Sequence, residues 1–201
     1  MGLEHALQVP PQIGYPVRAG LTLMAVLLLS RHETKLRPAS PLASIAIGLG
    51  VFAIWIAPDA LFGYRHHWLF ENFLTGAAGG NVPPDLQRNI FFLWIRALGS
   101  TLLVPIIEEL FWRAWLMRWL IDRDFETVPL GTYVASAFWI TAVLFASEHG
   151  PYWEVGLAAG VIYNWWMIRT RSLADCILAH AVTNGALAAY VVFGGAWQYW
   201  L

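Results

Sequence analysis

Residues 42–62 run on with a single charged side chain, Asp59, and residues 173–197 carry only Asp175. An apolar run of about 20 residues is the length of helix that crosses ~30 Å of hydrocarbon at ~1.5 Å per residue. Apolar residues grouped in long, nearly charge-free stretches mark an α-helical membrane protein. The chain is 58% hydrophobic and only 12% charged, about half the ~25% charged residues of a soluble domain. Twelve Trp among 201 residues suit a protein with two membrane interfaces to line. A net charge of −1 leaves no basic footprint for nucleic acid. The single cysteine, Cys176, excludes an intrachain disulfide and a cysteine-based zinc cage, and reads as a small packing residue. The opening residues, MGLEHALQVPPQIGYP, hold an acid, paired prolines and no basic n-region, so no cleaved signal peptide is expected. Ala6 stands where a myristoylation signal has Ser or Thr.

The expected fold is an all-α, polytopic membrane helix bundle of about 6 to 8 helices, forming one domain over 1–201. Six spans are read at 17–30, 42–62, 89–121, 131–149, 155–168 and 173–197. The first starts as early as Ile13. The third is ~50 Å long if straight, too long for one simple crossing. Pro105 in its middle removes a backbone donor and predicts a kink or break, with a spanning part before it and a motif-bearing helix after it. Residues 63–88 form the longest polar interruption, whose Trp and Phe place part of it in the interface. Loop charges orient the chain. Arg31, Lys35, Arg37, Arg118, Arg123, Arg169 and Arg171 fall on one side, and Arg18, Arg65 and Arg88 on the other, so the first side is expected in the cytoplasm. No internal repeat is visible.

Within these apolar segments three clusters of polar side chains stand out. In VPIIEELFWRAW, Glu109 and Arg113 are four apart and stack on one helix face, in the favourable acid-then-base order. Glu108 is rotated by ~100° and left without that partner. A buried ion pair fixing helix packing would account for Glu109 and Arg113, but adjacent acids in a membrane helix are hard to justify structurally. In FASEHG, His149 ends a span one turn after Phe145; alone it reads as an interfacial residue. In LAHAVTNG, His180 and Asn184 share a face, where they serve equally as interhelical glue or as two donors to one oxygen. Taken together, an unpartnered carboxylate, a histidine at one helix end and a His/Asn pair on another helix form an acid/base-plus-donor set. That is what water-driven amide hydrolysis requires. No Ser or Cys nucleophile occupies a comparable setting.

These residues resemble the CAAX protease and bacteriocin-processing (CPBP, or Abi) family of intramembrane endopeptidases, which includes the Ras-converting CAAX endopeptidase. EELFWR matches its Glu-Glu-x-x-x-Arg motif, FASEH its Phe-x-x-x-His motif and HAVTN its His-x-x-x-Asn motif, in that order. GLAAGVIYNWWMIRTRSLADCILAH resembles the small-residue helix and turn that precede the last motif, and the likeness covers about residues 100–190. A bacterial CAAX-protease-related subgroup linked with exosortase/PEP-CTERM systems is similar in length. The resemblance implies that Glu108 is the general base, assisted by His149. It implies that His180 and Asn184 form the oxyanion site, while Glu109 and Arg113 hold the motif helix. It also implies a membrane-associated protein or lipidated peptide as substrate, the bacterial inner membrane as location, and an active site towards the cytoplasm. Two residues depart from the pattern: Glu148, beside the motif histidine, and Trp112, a bulky ring expected to narrow the substrate path.

Three other readings stay open. Glu108, His149 and His180 have the stoichiometry of a catalytic zinc site, though no cofactor is favoured and no His-Glu-x-x-His is present. A non-catalytic membrane scaffold or chaperone of the same family would use the buried polar residues to recognise a partner helix. A proton-coupled transporter is disfavoured by the short chain without a repeat.

Overall fold

A computed structural model describes residues 10–29, 37–80 and 82–200. The signal and lipidation readings, Ser30, Arg31 and Lys35 lie outside them. Six helices account for the fold: α1 Pro11–Leu29, α2 Pro41–Phe62, α3 Ile90–Trp119, α4 Ala135–Ser147, α5 Trp153–Thr170 and α6 Leu173–Gly194. The described residues contain no β-strand, only an isolated bridge between Asn72 and Gly76. Three helices, α2, α3 and α6, are long and apolar enough to cross a membrane. The span expected at 131–149 is shorter than read: α4 has 13 residues, ~20 Å of helix, because 132–134 are not helical.

Helix α6 is the centre of the bundle and packs against α2, α3 and α5. Its first turn is tied to the start of α2 by Asp175, which is fully buried. The carboxylate accepts from the Ala39 and Ser40 amides at 2.6 and 2.8 Å and from the Ser44 hydroxyl at 2.7 Å. These bonds satisfy backbone donors that a helix start leaves without intrahelical partners. Further along, α2 and α6 approach backbone to backbone at Gly48, whose carbonyl accepts from the Thr183 hydroxyl at 2.8 Å. A Cβ at Gly48 would run into the Ala179 carbonyl and the Val182 side chain. Helices α4 and α5 form an antiparallel pair that closes in the same way, with Gly160 against the Ala142 backbone.

Helix α3 is continuous for 30 residues, so Pro105 does not break it. Its hydrogen bonding widens instead into two π turns, Gly99–Leu103 just before the proline and Leu110–Leu116 after the glutamates. A π turn skips one helix bond per inserted residue. The helix thus runs on past a residue that lacks an amide donor.

The polar segment after α2 is clamped to the start of α5. Arg65, buried at 3% exposure, pairs with Glu154 at 2.7 Å and lies 4.2 Å over the Tyr152 ring. Tyr64 donates to the same Glu154 at 3.0 Å, and burial with that carboxylate alongside pushes its phenol up to about 12. Trp68 and Phe73 on this segment are exposed, as an interfacial location requires.

The close approach at Gly48 predicts that Gly48→Ala forces α2 and α6 apart. It should cost about 1–3 kcal/mol, read as a lower unfolding temperature of the protein in detergent.

Candidate active site

Glu108, Glu109 and Arg113 of α3 are held in a layer that reaches three other helices. Arg113 and Glu109 form the i,i+4 pair that their spacing predicts, at 3.1 Å, and both side chains are fully buried. Arg113 also donates from Nε to the Asn164 amide oxygen at 3.0 Å and from Nη2 to the Gly160 carbonyl at 3.4 Å. Its guanidinium lies 4.7 Å from the centre of the Phe145 ring and 5.4 Å from that of Tyr163. The Asn164 amide in turn donates to the Phe138 carbonyl of α4 at 2.8 Å. Three helices thus surround one guanidinium, and its donors and ring faces are matched by partners.

The oxygen of Glu109 that meets Arg113 also meets His180. His180 Nδ1 is 2.8 Å from Glu109 Oε1, and its Nε2 is 3.9 Å from Glu108 Oε2. The two adjacent acids therefore do not face unrelated surroundings, as their rotation on the helix suggests. The imidazole reaches both carboxylates with its two nitrogens. Since Glu109 is an acceptor, Nδ1 carries a proton and Nε2 is turned towards Glu108. His180 stacks on Tyr163 with ring centres 5.0 Å apart, and the Tyr163 hydroxyl donates to Thr183 at 2.7 Å. Glu108 Oε2 is buried and has no hydrogen-bond partner among the described residues.

His149 sits one turn beyond Phe145, just past the end of α4. Its Nδ1 donates to the Phe145 carbonyl at 2.7 Å, which leaves Nε2 as the basic nitrogen. The ring packs against Trp55 of α2, centre to centre 5.1 Å. Gly156 of α5 makes room for it, since a Cβ there would stand 3.1 Å from the imidazole. Asn184 donates from Nδ2 to the Ser100 carbonyl at 2.9 Å.

Glu108, His149, His180 and Asn184 line one cavity of about 160 Å³, together with Trp55, Tyr163 and Ser100. Tyr199 and Trp200, after α6, complete the polar and aromatic lining. Trp112 is not in its wall: the ring is buried edge-on against Phe145, so it fills core and does not narrow a path. Glu148 is exposed and lies off the cavity. Cys176 is buried with its sulfur 3.7 Å from the Tyr163 carbonyl, as a packing residue would be. Among the described residues, no three His, Cys, Asp or Glu side chains gather closely enough to hold a metal ion. Glu108, His149 and His180 thus share a cavity without forming a ligand set.

Sequence reasoning missed Asn164, Tyr163, Thr183 and Ser100. A mid-helix Asn in the apolar YNWW was the available signal for the first. The other three depend on which faces pack together.

An all-helical membrane bundle with one acid, two histidines and an asparagine lining an internal cavity defines the class, an integral membrane protein built around a buried polar site. A family model described as type II CAAX prenyl endopeptidase Rce1-like matches residues 90–186, and over that segment the chain is similar to this family. That likeness supports a CAAX-type intramembrane protease at the level of the family. The matched segment contains all three motifs. No curated protein and no solved structure matches the chain.

The burial of the ion pair separates the two acids by their effect on stability. Glu109→Ala strands Arg113 and should cost about 3–5 kcal/mol. Glu108→Ala, with no ion pair to Arg113 to break, should leave thermal unfolding in detergent close to the parent.

Proposed function

We propose that the protein hydrolyses a peptide bond of a membrane-associated or lipidated protein with water activated by Glu108 and His149, and without a metal ion. The observation that carries this reading is the convergence of Glu108, His149, His180 and Asn184 on one cavity. In the proposed reaction Glu108 removes a proton from water, aided by His149 Nε2. The water oxygen bonds to the scissile carbonyl carbon, and the carbonyl electrons move onto its oxygen. His180, protonated on both nitrogens, donates from Nε2 to that oxygen while Nδ1–H stays on Glu109. The remaining N–H of the Asn184 amide is the second donor. Glu108 then passes its proton to the leaving nitrogen as the C–N bond breaks. Fixed donors in a water-poor site are the largest single source of rate in such chemistry.

The surroundings suit a substrate held by the membrane. An open apolar groove of about 490 Å³ between α3 and α6 includes Trp94, Leu98, Thr101, Gly185 and Phe193. Thr101 and Gly185 adjoin Ser100 and Asn184 in sequence, so an apolar chain in the groove would bring its attached peptide close to the cavity. His180 lies seven residues into α6, ~10 Å from its start. The site is therefore nearer the face bearing Arg123, Arg169 and Arg171, which the charge bias assigns to the cytoplasm.

Two experiments test the reading. Terminal proteomics of membranes carrying the parent protein should find new peptide termini that vanish with Glu108→Gln and with His149→Ala. A farnesylated fluorogenic CAAX peptide in proteoliposomes should show rates lowered by about 10²–10⁴ in the same variants, with folding kept. Chelators should leave the parent rate unchanged; loss of activity with stoichiometric zinc would overturn the metal-free mechanism. Normal cleavage by both variants would point to the non-catalytic scaffold.

A further inference from the structure

The π turn before the glutamates leaves one backbone carbonyl without a backbone donor. In an α-helix the Ser100 carbonyl accepts from the amide of Val104, and in a π turn it accepts from the amide of residue 105. The Val104 amide is already committed, in π register, to the Gly99 carbonyl. Residue 105 is proline and has no amide hydrogen. The donor that reaches the Ser100 carbonyl comes from another helix: it is the Asn184 side chain, at 2.9 Å. Ser100 and Asn184 both line the cavity.

We propose that Pro105 is a positioning residue for Asn184: by denying the Ser100 carbonyl a backbone partner, it creates the acceptor that fixes the orientation of the Asn184 amide. A primary amide has two N–H groups on one nitrogen and one oxygen, in a rigid plane. Anchoring one N–H fixes that plane, and with it the direction of the second N–H towards the cavity. Without the anchor the amide can turn over and present its oxygen, which repels a developing oxyanion. A proline inside a helix normally costs stability, and here that cost maintains an acceptor at the site. Pro105 does not touch substrate and acts only through Ser100 and Asn184. The proposal rests on the reading of Asn184 as an oxyanion donor.

The test restores the missing amide with Pro105→Ala, and with Pro105→Ser as a second variant carrying the same N–H. Either replacement supplies a backbone donor to the Ser100 carbonyl, directly in π register or by letting the turn relax to α. Selective ¹⁵N labelling of Asn gives few side-chain amide pairs, because the chain has Asn only at 72, 81, 89, 164 and 184. The Asn184→Ala spectrum identifies the pair belonging to Asn184. In both Pro105 variants that pair is expected to shift, with the Asn164 pair unmoved and the unfolding temperature equal to or above the parent. Cleavage of the farnesylated probe should fall about 10-fold in kcat with KM unchanged, a fraction of the 10²–10³ that losing an oxyanion donor costs. Pro105→Ala added to Asn184→Ala should slow the reaction no further. An Asn184 pair that stays in place in the Pro105 variants overturns the proposal, whatever the rates. A further loss of rate in the double variant also overturns it, since proline would then act independently of the amide. Full activity in Asn184→Ala instead overturns the oxyanion reading, whatever the amide signals show.

Discussion

One carboxylate oxygen holds the site together. Glu109 Oε1 lies 3.1 Å from the Arg113 guanidinium and 2.8 Å from His180, with no exposure to solvent. Removing such charges from water costs several kcal/mol per ion unless attraction and hydrogen bonds return it. The partners that return it come from different helices: Arg113 from α3, Asn164 and the Gly160 carbonyl from α5, His180 from α6. Packing these helices correctly is therefore the condition for burying the charge. The same packing sets His180 with Nε2 towards Glu108, so the interaction that ties the helices together also orients the imidazole.

Around this layer the helices meet where side chains are small. Gly48 lets α2 meet α6, Gly160 lets α4 meet α5, and Gly156 admits the His149 ring. Membrane helices associate through such close contacts because lipid offers no hydrophobic drive to bring apolar surfaces together. The cavity is what remains between helices drawn this close, and its polar residues arrive from α3, α6 and the turn after α4.

Much of this was legible in the residues. The spans at 42–62 and 173–197 correspond to α2 and α6 within a few residues, since length and hydropathy decide them. The pairing of Glu109 with Arg113 followed from helical spacing alone. What could not be read depends on tertiary context. Glu108 looked unrelated to its neighbour because rotation on one helix says nothing of an imidazole arriving from another. Pro105 was read as a kink or break because the loss of one donor has two resolutions, an end to the helix or a π turn. Which occurs depends on whether the orphaned carbonyl finds a donor elsewhere, and Asn184 lies 84 residues away from Ser100. Trp112 was misread because nothing local distinguishes a ring in a wall from a ring in the core.

The sequence separations inside the charged layer bear on how the protein is made. Asn164 follows Arg113 by 51 residues and His180 follows Glu109 by 71. As the chain emerges, α3 reaches the bilayer before either interhelical partner has been synthesised. Glu109 and Arg113 neutralise each other from the outset because they share one helix, so the pair makes α3 tolerable to lipid while it waits. Glu108 has no such companion until α6 is in place. The order of the motifs along the chain is thus the order in which they are synthesised, with the helix carrying the charges before the imidazole that joins them.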